Sequence, residues 1–292
     1  TGAQVLNRYY TTDGQNWRYF DAKGVMARGL VTMGGNQQFF DQNGYQVKGK
    51  IARAKDGKLR YFDKDSGNAA ANRFAQGDNP SDWYYFGADG VAVTGLQKVG
   101  QQTLYFAQDG KQVKGQVVTL ADKSIRYFDA NSGEMAVNKF VEGAKNVWYY
   151  FDQAGKAVTG LQTINKQVLY FDQDGKQVKG KIVKNNKGQR YYFDANSGEL
   201  ARNRFAEAEP NAWYYFGRDG VAVTGLQKIG QQTLYFDQDG KQVKGKVVYV
   251  NGANRYFDPN SGEMARNKWI QLEDGSWMYF DRNGRGRRFG WN

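Results

Sequence analysis

The chain contains no cysteine and no histidine. The first absence excludes a disulfide framework and a thiolate metal site, and the second removes the commonest general base and the commonest metal ligand. No cofactor and no metal is assigned. Proline is scarce too, at three residues. No stretch approaches the roughly 18 consecutive apolar residues of a spanning helix, so no membrane insertion is expected. Thr1-Gly2-Ala3 does not open a signal peptide, and the chain reads as a mature or excised soluble segment.

What is abundant is an unusual pair of properties. Aromatic residues make up 15% of the chain and glycine counts 37, while the mean hydropathy is only -0.77. A compact domain buries its aromatics, and a strongly polar chain usually lacks them. The combination implies many small aromatic clusters separated by polar turns. The net charge of +12 favours polyanionic partners such as teichoic acid or nucleic acid. Against that, the lysines recur at fixed places along the whole chain and form no single block or face.

Self-similarity decides the architecture. A Tyr-Phe or Phe-Phe pair, or a close variant, recurs at 19, 39, 61, 85, 105, 127, 150, 170, 192, 215, 235, 256 and 279. That is thirteen units at a mean spacing of about 21.7 residues, within the range of repeat architectures. Trp17, Trp83, Trp148, Trp213 and Trp277 impose a longer period of about 65 residues, so three short units form one long one. The three kinds are a Trp unit (Trp148 to Gln162), a Lys unit (Leu169 to Gly180, containing Lys176 and Lys179) and a Ser-Gly unit (Tyr192 to Gly198).

Each unit runs from an aromatic stretch through Asp-x-x-Gly or Asp-x-x-x-Gly into a second short run, which is the pattern of a β-hairpin. A helix would carry a glycine-bearing turn inside every second or third of its turns. One hairpin of about twenty residues cannot stand alone and must stack on its neighbours. The expected fold is therefore all-β, a solenoid of stacked hairpins grouped in super-repeats of about 65 residues. Residues 1–292 are expected to form one array: an atypical first super-repeat (1–82), regular super-repeats at 83–147, 148–212 and 213–276, and a terminal segment (277–292) read as a cap, with Trp269, Trp277 and Trp291 in or beside it. The phenylalanine of each pair is expected in the core.

The ordered string Thr-Gly-Leu-Gln, Leu-Tyr-Phe-Asp-Gln-Asp-Gly-Lys-Gln-Val-Lys-Gly, then Tyr-Phe-Asp-x-Asn-Ser-Gly-Glu closely resembles the glucan-binding repeats of bacterial glucansucrases, from about Trp17 to Gly284. More distantly it is similar to the choline-binding repeats of cell-wall proteins and to clostridial toxin repeats. The resemblance implies a secreted, extracellular or cell-surface, non-catalytic module. It implies binding of α-glucan polysaccharide (dextran or mutan, isomalto-oligosaccharides) beside a sucrose-dependent glucosyltransferase domain that lies outside this segment. A monomer is expected, and no nucleic acid.

Sugar rings present C–H faces to aromatic planes and hydroxyls to amides and ammonium groups. Three sets at spacings of eight and nine offer these groups: Gln97, Tyr105 and Lys114; Gln162, Tyr170 and Lys179; Gln227, Tyr235 and Lys244. The resemblance assigns Tyr as platform, Gln as reader of hydroxyls and Lys as donor from the following strand. Two readings stand for these nine residues: glucan contact, or a core tyrosine with a solvated amide and ammonium. The first super-repeat has Val31, Phe39 and Lys48 instead, which removes the amide and the phenol hydroxyl. Tyr127, Tyr192 and Tyr256 are read as core, and Asp172, Asp237 and their equivalents as turn residues that hydrogen-bond the backbone and take no part in acid–base chemistry. The competing class is a cell-wall (teichoic acid or choline) or other polyanion-binding repeat.

Overall fold

The structure, a computed structural model, describes residues 4–288. These residues are all strand, turn and connection, with no helix among them. They fall into two compact units, residues 4–145 with 151–157, and 146–150 with 158–288.

The first unit begins with hairpins that follow one another without crossover. They are β1 (Arg8–Tyr10) with β2 (Arg18–Phe20), β3 (Gly29–Met33) with β4 (Asn36–Phe40), and β5 (Lys50–Arg53) with β6 (Leu59–Phe62). Next come β7 (Arg73–Gln76) with β8 (Trp83–Phe86), β9 (Gly95–Val99) with β10 (Gln102–Phe106), and β11 (Gln116–Thr119) with β12 (Ile125–Phe128). β13 (Lys139–Ala144) and residues 151–157 complete this unit, and β14 (Val147–Phe151) straddles the division.

The second unit repeats the plan. β15 (Gly160–Ile164) pairs with β16 (Gln167–Phe171), β17 (Lys181–Lys184) with β18 (Arg190–Phe193), and β19 (Arg204–Glu209) with β20 (Ala212–Phe216). β21 (Gly225–Ile229) pairs with β22 (Gln232–Phe236), and β23 (Lys246–Val250) with β24 (Ala253–Phe257). The last described hairpin, β25 (Lys268–Gln271) with β26 (Trp277–Phe280), gains a third strand, β27 (Gly286–Arg288). Trp291 lies outside the described residues.

The aromatic pairs sit at the ends of the even-numbered strands, and strand alternation sorts their two members. Phe40, Phe62, Phe86, Phe106, Phe128 and Phe171 are wholly buried, each followed by a turn. The preceding residue projects to the opposite face and meets the next hairpin's phenylalanine. Tyr61 thus lies 6.3 Å from Phe86, Tyr105 5.4 Å from Phe128, Tyr127 6.2 Å from Phe151, Tyr192 5.8 Å from Phe216 and Tyr256 6.0 Å from Phe280. The core of each unit is this Tyr-on-Phe ladder, assembled from hairpins too small to bury their own faces.

Backbone hydrogen bonds stitch the ladder. After each turn, one amide donates to the first residue of the preceding hairpin's second strand or its neighbour. Gln112 N bonds to Trp83 O at 2.7 Å, Met135 N to Thr103 O at 2.8 Å, Leu200 N to Val168 O at 2.8 Å and Gln242 N to Trp213 O at 2.7 Å. The turns themselves are held by aspartate. The Asp172 carboxylate accepts from the amides of Asp174 (2.9 Å) and Lys176 (2.8 Å), and Asp237 repeats both bonds with Asp239 and Lys241. These aspartates are turn residues, as their sequence context indicates.

In the Ser-Gly turns the glycine is needed twice over. Gly198 has φ +74°, and a methyl group there would collide with the side-chain amide of Gln177 from the preceding hairpin. That amide reaches over the turn to Ser197 O at 3.5 Å. The aspartates of these turns are held below the ordinary carboxylate value. Backbone amides do this at Asp63, Asp129 and Asp258, and the Arg204 guanidinium does so first of all at Asp194.

Candidate functional site

The nine residues singled out by spacing take the same places in all three super-repeats. Tyr105, Tyr170 and Tyr235 are half-buried. Each lays one ring face toward the next hairpin's phenylalanine, at 5.4 Å from Phe128, 5.5 Å from Phe193 and 5.5 Å from Phe257. Their cross-strand partners are Leu96, Leu161 and Leu226, so a leucine lies beside each ring on the same hairpin face.

The lysines reach forward. Lys114 Nζ donates to Asn131 O at 3.0 Å, Lys179 Nζ to Asn196 O at 3.1 Å and Lys244 Nζ to Asn260 O at 2.9 Å. All three acceptors lie in the turn of the following Ser-Gly unit, so each ammonium clamps the next hairpin and keeps further N–H bonds. Lys179 Nζ also stands 6.0 Å from the Trp148 ring centroid.

The glutamines turn the other way. Gln97, Gln162 and Gln227 pair across the ladder with Leu104, Leu169 and Leu234, which point into the core. Each amide Nε2 donates at 2.7 Å to the carbonyl three residues back, Thr94, Thr159 or Thr224. Amide and phenol ring of one set therefore leave opposite faces of the same hairpin. In the first super-repeat Phe39 still stacks, 5.7 Å from Phe62, and Lys48 Nζ still clamps Asp65 O at 2.8 Å.

Spacing did not bring out two further groups. The first is the tryptophan beside each lysine clamp. Trp83 shares a surface cleft of about 630 Å³ with Gln112, Lys114 and the Lys111–Asp82 ion pair (2.8 Å). Trp213 is 39% exposed, and the nearby Lys241–Glu209 pair measures 2.8 Å. The Trp period was visible, but not that the chain returns beside it two turns later.

The second group surrounds Tyr170. A cleft of about 430 Å³ is walled by Leu161 and Tyr170 from one hairpin and by Val183, Tyr191 and Phe193 from the next, with the 184–187 turn as its rim. The Tyr191 hydroxyl is fixed to that turn, 3.3 Å from Asn185 Nδ2 and 3.3 Å from Gln189 Oε1.

Stacked ring faces with ammonium groups over the following turn, and amides on the opposite hairpin face, are suited to holding a ligand rather than transforming one. The repeat units correspond to known families. The profile of the choline-binding repeat matches residues 27–74, 93–140, 158–205 and 223–269. The chain belongs to the choline-binding repeat family. A second profile, for cell wall binding repeats, matches 72–92, 138–157, 203–222 and 267–285, so the two kinds of match alternate along the array.

Among curated proteins, the chain is 51% identical over 290 residues to Glucosyltransferase-S of Streptococcus mutans, covering 99% of this chain and 20% of that protein. It is 40% identical to Glucosyltransferase-I of Streptococcus downei, over 97% of this chain and 21% of that protein. The chain thus spans about a fifth of the length of these relatives. Among solved structures, the modular autolysin LytC of Streptococcus pneumoniae aligns with a TM-score of 0.58 at 18% identity, over 82% of this chain and 53% of that one. CbpJ of Streptococcus pneumoniae aligns with a TM-score of 0.50 at 19% identity, over 96% and 99%. Choline-binding repeats therefore share this stacked-hairpin fold.

Proposed function

We propose that this chain is a non-catalytic carbohydrate-binding module that holds α-glucan of the dextran or mutan type. The observation that carries this reading is a threefold recurrence: a half-exposed tyrosine with a leucine beside it, and a lysine ammonium and a glutamine amide at fixed offsets, once in each regular super-repeat. The binding residues in this reading are Gln97, Tyr105 and Lys114, Gln162, Tyr170 and Lys179, and Gln227, Tyr235 and Lys244. Each lysine uses one N–H on the next turn and has two left for hydroxyls. The glutamines act from the opposite hairpin face, so a glucan strand meeting all three groups passes around a hairpin edge.

The relatives named glucosyltransferases support the choice of ligand. On this reading the module acts as a monomeric array, with super-repeats at 83–147, 148–212 and 213–276, in a secreted or cell-surface glucosyltransferase whose sucrose-cleaving domain lies elsewhere. Several weak sites on one polymer gain about 10²- to 10⁴-fold by avidity, so long dextran binds far better than short oligosaccharides.

A second reading, binding of teichoic acid or another polyanion, is favoured by the net charge of +12, which does not favour the choline cation. Salt separates the two, because polyanion binding weakens steeply with ionic strength and neutral glucan binding does not. The test is retardation of the chain in native gels containing dextran, at low and high salt, beside a variant carrying Tyr105→Ala, Tyr170→Ala and Tyr235→Ala. Salt-resistant retardation that the still-folded variant loses supports the proposal. Absence of retardation by both dextran and a mutan-type glucan sinks it.

A further inference from the structure

The Ser-Gly hairpins carry an inward-facing residue opposite the third residue of their first strand, and in three of them it is arginine: Arg60 opposite Ala52, Arg126 opposite Val118 and Arg255 opposite Val248. All three are buried, at 5%, 7% and 8% exposure. Their guanidinium groups are committed to the scaffold. Arg126 Nη1 donates to Ala154 O at 2.6 Å and Arg255 Nη1 to Asn283 O at 2.6 Å, while Arg60 pairs with Asp56 at 2.8 Å and with Gln37 Oε1 at 3.0 Å. At the fourth such place, opposite Val183, the chain has Tyr191. This residue is only half-buried, and it walls the cleft that also contains Tyr170. Meanwhile Arg190, one position earlier, swings away to pair with Asp239.

We infer that the Tyr170–Tyr191 cleft is a distinct site for one to three glucosyl residues of an α-glucan, and that it is the tightest site of the second unit. This inference rests on the glucan-binding reading above. At about 430 Å³ the cleft is in the size range of small-molecule sites, unlike an open ring face. Two phenol rings with Leu161 and Val183 supply apolar walls for pyranose C–H faces, and the walls come from two hairpins, so a ring can be held from both sides. Asn186 and Lys187 at the rim offer an amide and an ammonium to hydroxyls, while the Asn185 amide holds the turn by accepting from the backbone N–H groups of Lys187 (2.9 Å) and Gln189 (3.0 Å). The Tyr191 ring is pre-positioned by its hydroxyl bonds to the turn, which lowers the ordering cost of binding. No carboxylate lines the cleft, and its two lysines, Lys184 and Lys187, make an anionic polymer the rival occupant.

The test is calorimetric titration of the full 292-residue chain with an isomalto-oligosaccharide of four to six units, comparing wild type with Tyr191→Arg, Asn185→Ala and Tyr105→Ala. Tyr191→Arg installs the residue that three equivalent hairpins already carry, and Asn185→Ala removes the turn bonds that fix the rim and the Tyr191 hydroxyl. At least one of them thus reports binding without loss of fold, which the melting temperature verifies. The expected result is a tighter class of about one site per chain, weakened about tenfold by Tyr191→Arg and by less in Asn185→Ala, while Tyr105→Ala removes only the weaker binding at its own super-repeat. Dextran retardation persists in Tyr191→Arg through the remaining sites. Unchanged titration in both Tyr191→Arg and Asn185→Ala, with binding lost in Tyr105→Ala, overturns this inference and leaves the glucan reading standing. No oligosaccharide or dextran binding by wild type overturns both. Tighter, salt-sensitive binding of a poly(glycerol phosphate), abolished by Lys187→Ala, assigns the cleft to a polyanion and overturns the inference as well.

Discussion

The glycine of a Ser-Gly turn should cost more to replace than a glycine with the same backbone angle in open space. Gly198 and Gly188 form a matched pair in one unit: φ is +74° at the first and +77° at the second. Alanine at either position pays the left-handed strain of about 1–2 kcal/mol. At Gly188 nothing lies near the added methyl, and the cost stops there. At Gly198 the methyl displaces the Gln177 amide and breaks its 3.5 Å bond to Ser197 O. Overpacking costs about 1–3 kcal/mol, and the lower end applies because the displaced atoms are the free end of a flexible side chain. Gly198→Ala is thus expected to destabilise by roughly 1 kcal/mol more than Gly188→Ala. Equilibrium urea unfolding of both variants measures the difference, and the same experiment in a Gln177→Ala background isolates its origin. In that background the gap between the two glycine substitutions should shrink to the small part left by Lys179 Cγ, 3.2 Å from the added methyl, giving a coupling energy of about 1 kcal/mol between residues 177 and 198. Equal costs in the wild-type background, or no coupling, would refute the idea that Gln177 locks the following turn.

Arg126→Met should destabilise the first unit by about 1–3 kcal/mol, measured by thermal or urea unfolding, because Ala154 O is left without its buried donor. The four Ser-Gly turn aspartates predict acid lability with a definite sign. Their folded pKa values lie below the ordinary 3.8, so their stabilisation is full above that value and is lost as pH falls through the lower folded-state values. The melting temperature should be flat from about pH 5 to 8 in respect of these groups and fall below about pH 4. Asp194→Asn should lower it at pH 7 and make the acid decline shallower.

The fold was legible because its determinants are local and repeated. A Tyr-Phe pair before Asp-x-x-Gly defines strand, turn and the buried partner at once, and period 2 assigns Phe171 to the core and Tyr170 to the opposite face without knowledge of the neighbours. The site was legible in its residue types and less so in its assembly. Constant spacing tied Gln162 to Tyr170, yet strand register sends the two side chains to opposite faces. Constant spacing also tied in Lys179 but could not reveal that it clamps Asn196 O. The place where the pattern breaks was the hardest to read. Tyr191 looks like one more aromatic in a Tyr-Tyr-Phe run, and only the cross-strand pairing shows that it stands where Arg60, Arg126 and Arg255 stand elsewhere.

The single backbone bond that joins each post-turn amide to the hairpin before it has a mechanical consequence. Within a hairpin several ladder bonds must be peeled one after another, whereas the seam between hairpins has one such backbone bond, a ring contact and, ahead of the Ser-Gly turns, the lysine and glutamine side-chain bonds. A unit stretched along the chain direction therefore yields at its seams in small, similar increments. Each released hairpin of about twenty residues adds on the order of 65–70 Å of slack. Such a chain absorbs work over a long extension while its remaining hairpins keep hold of whatever polymer they grip, and it recoils by restacking when tension is released.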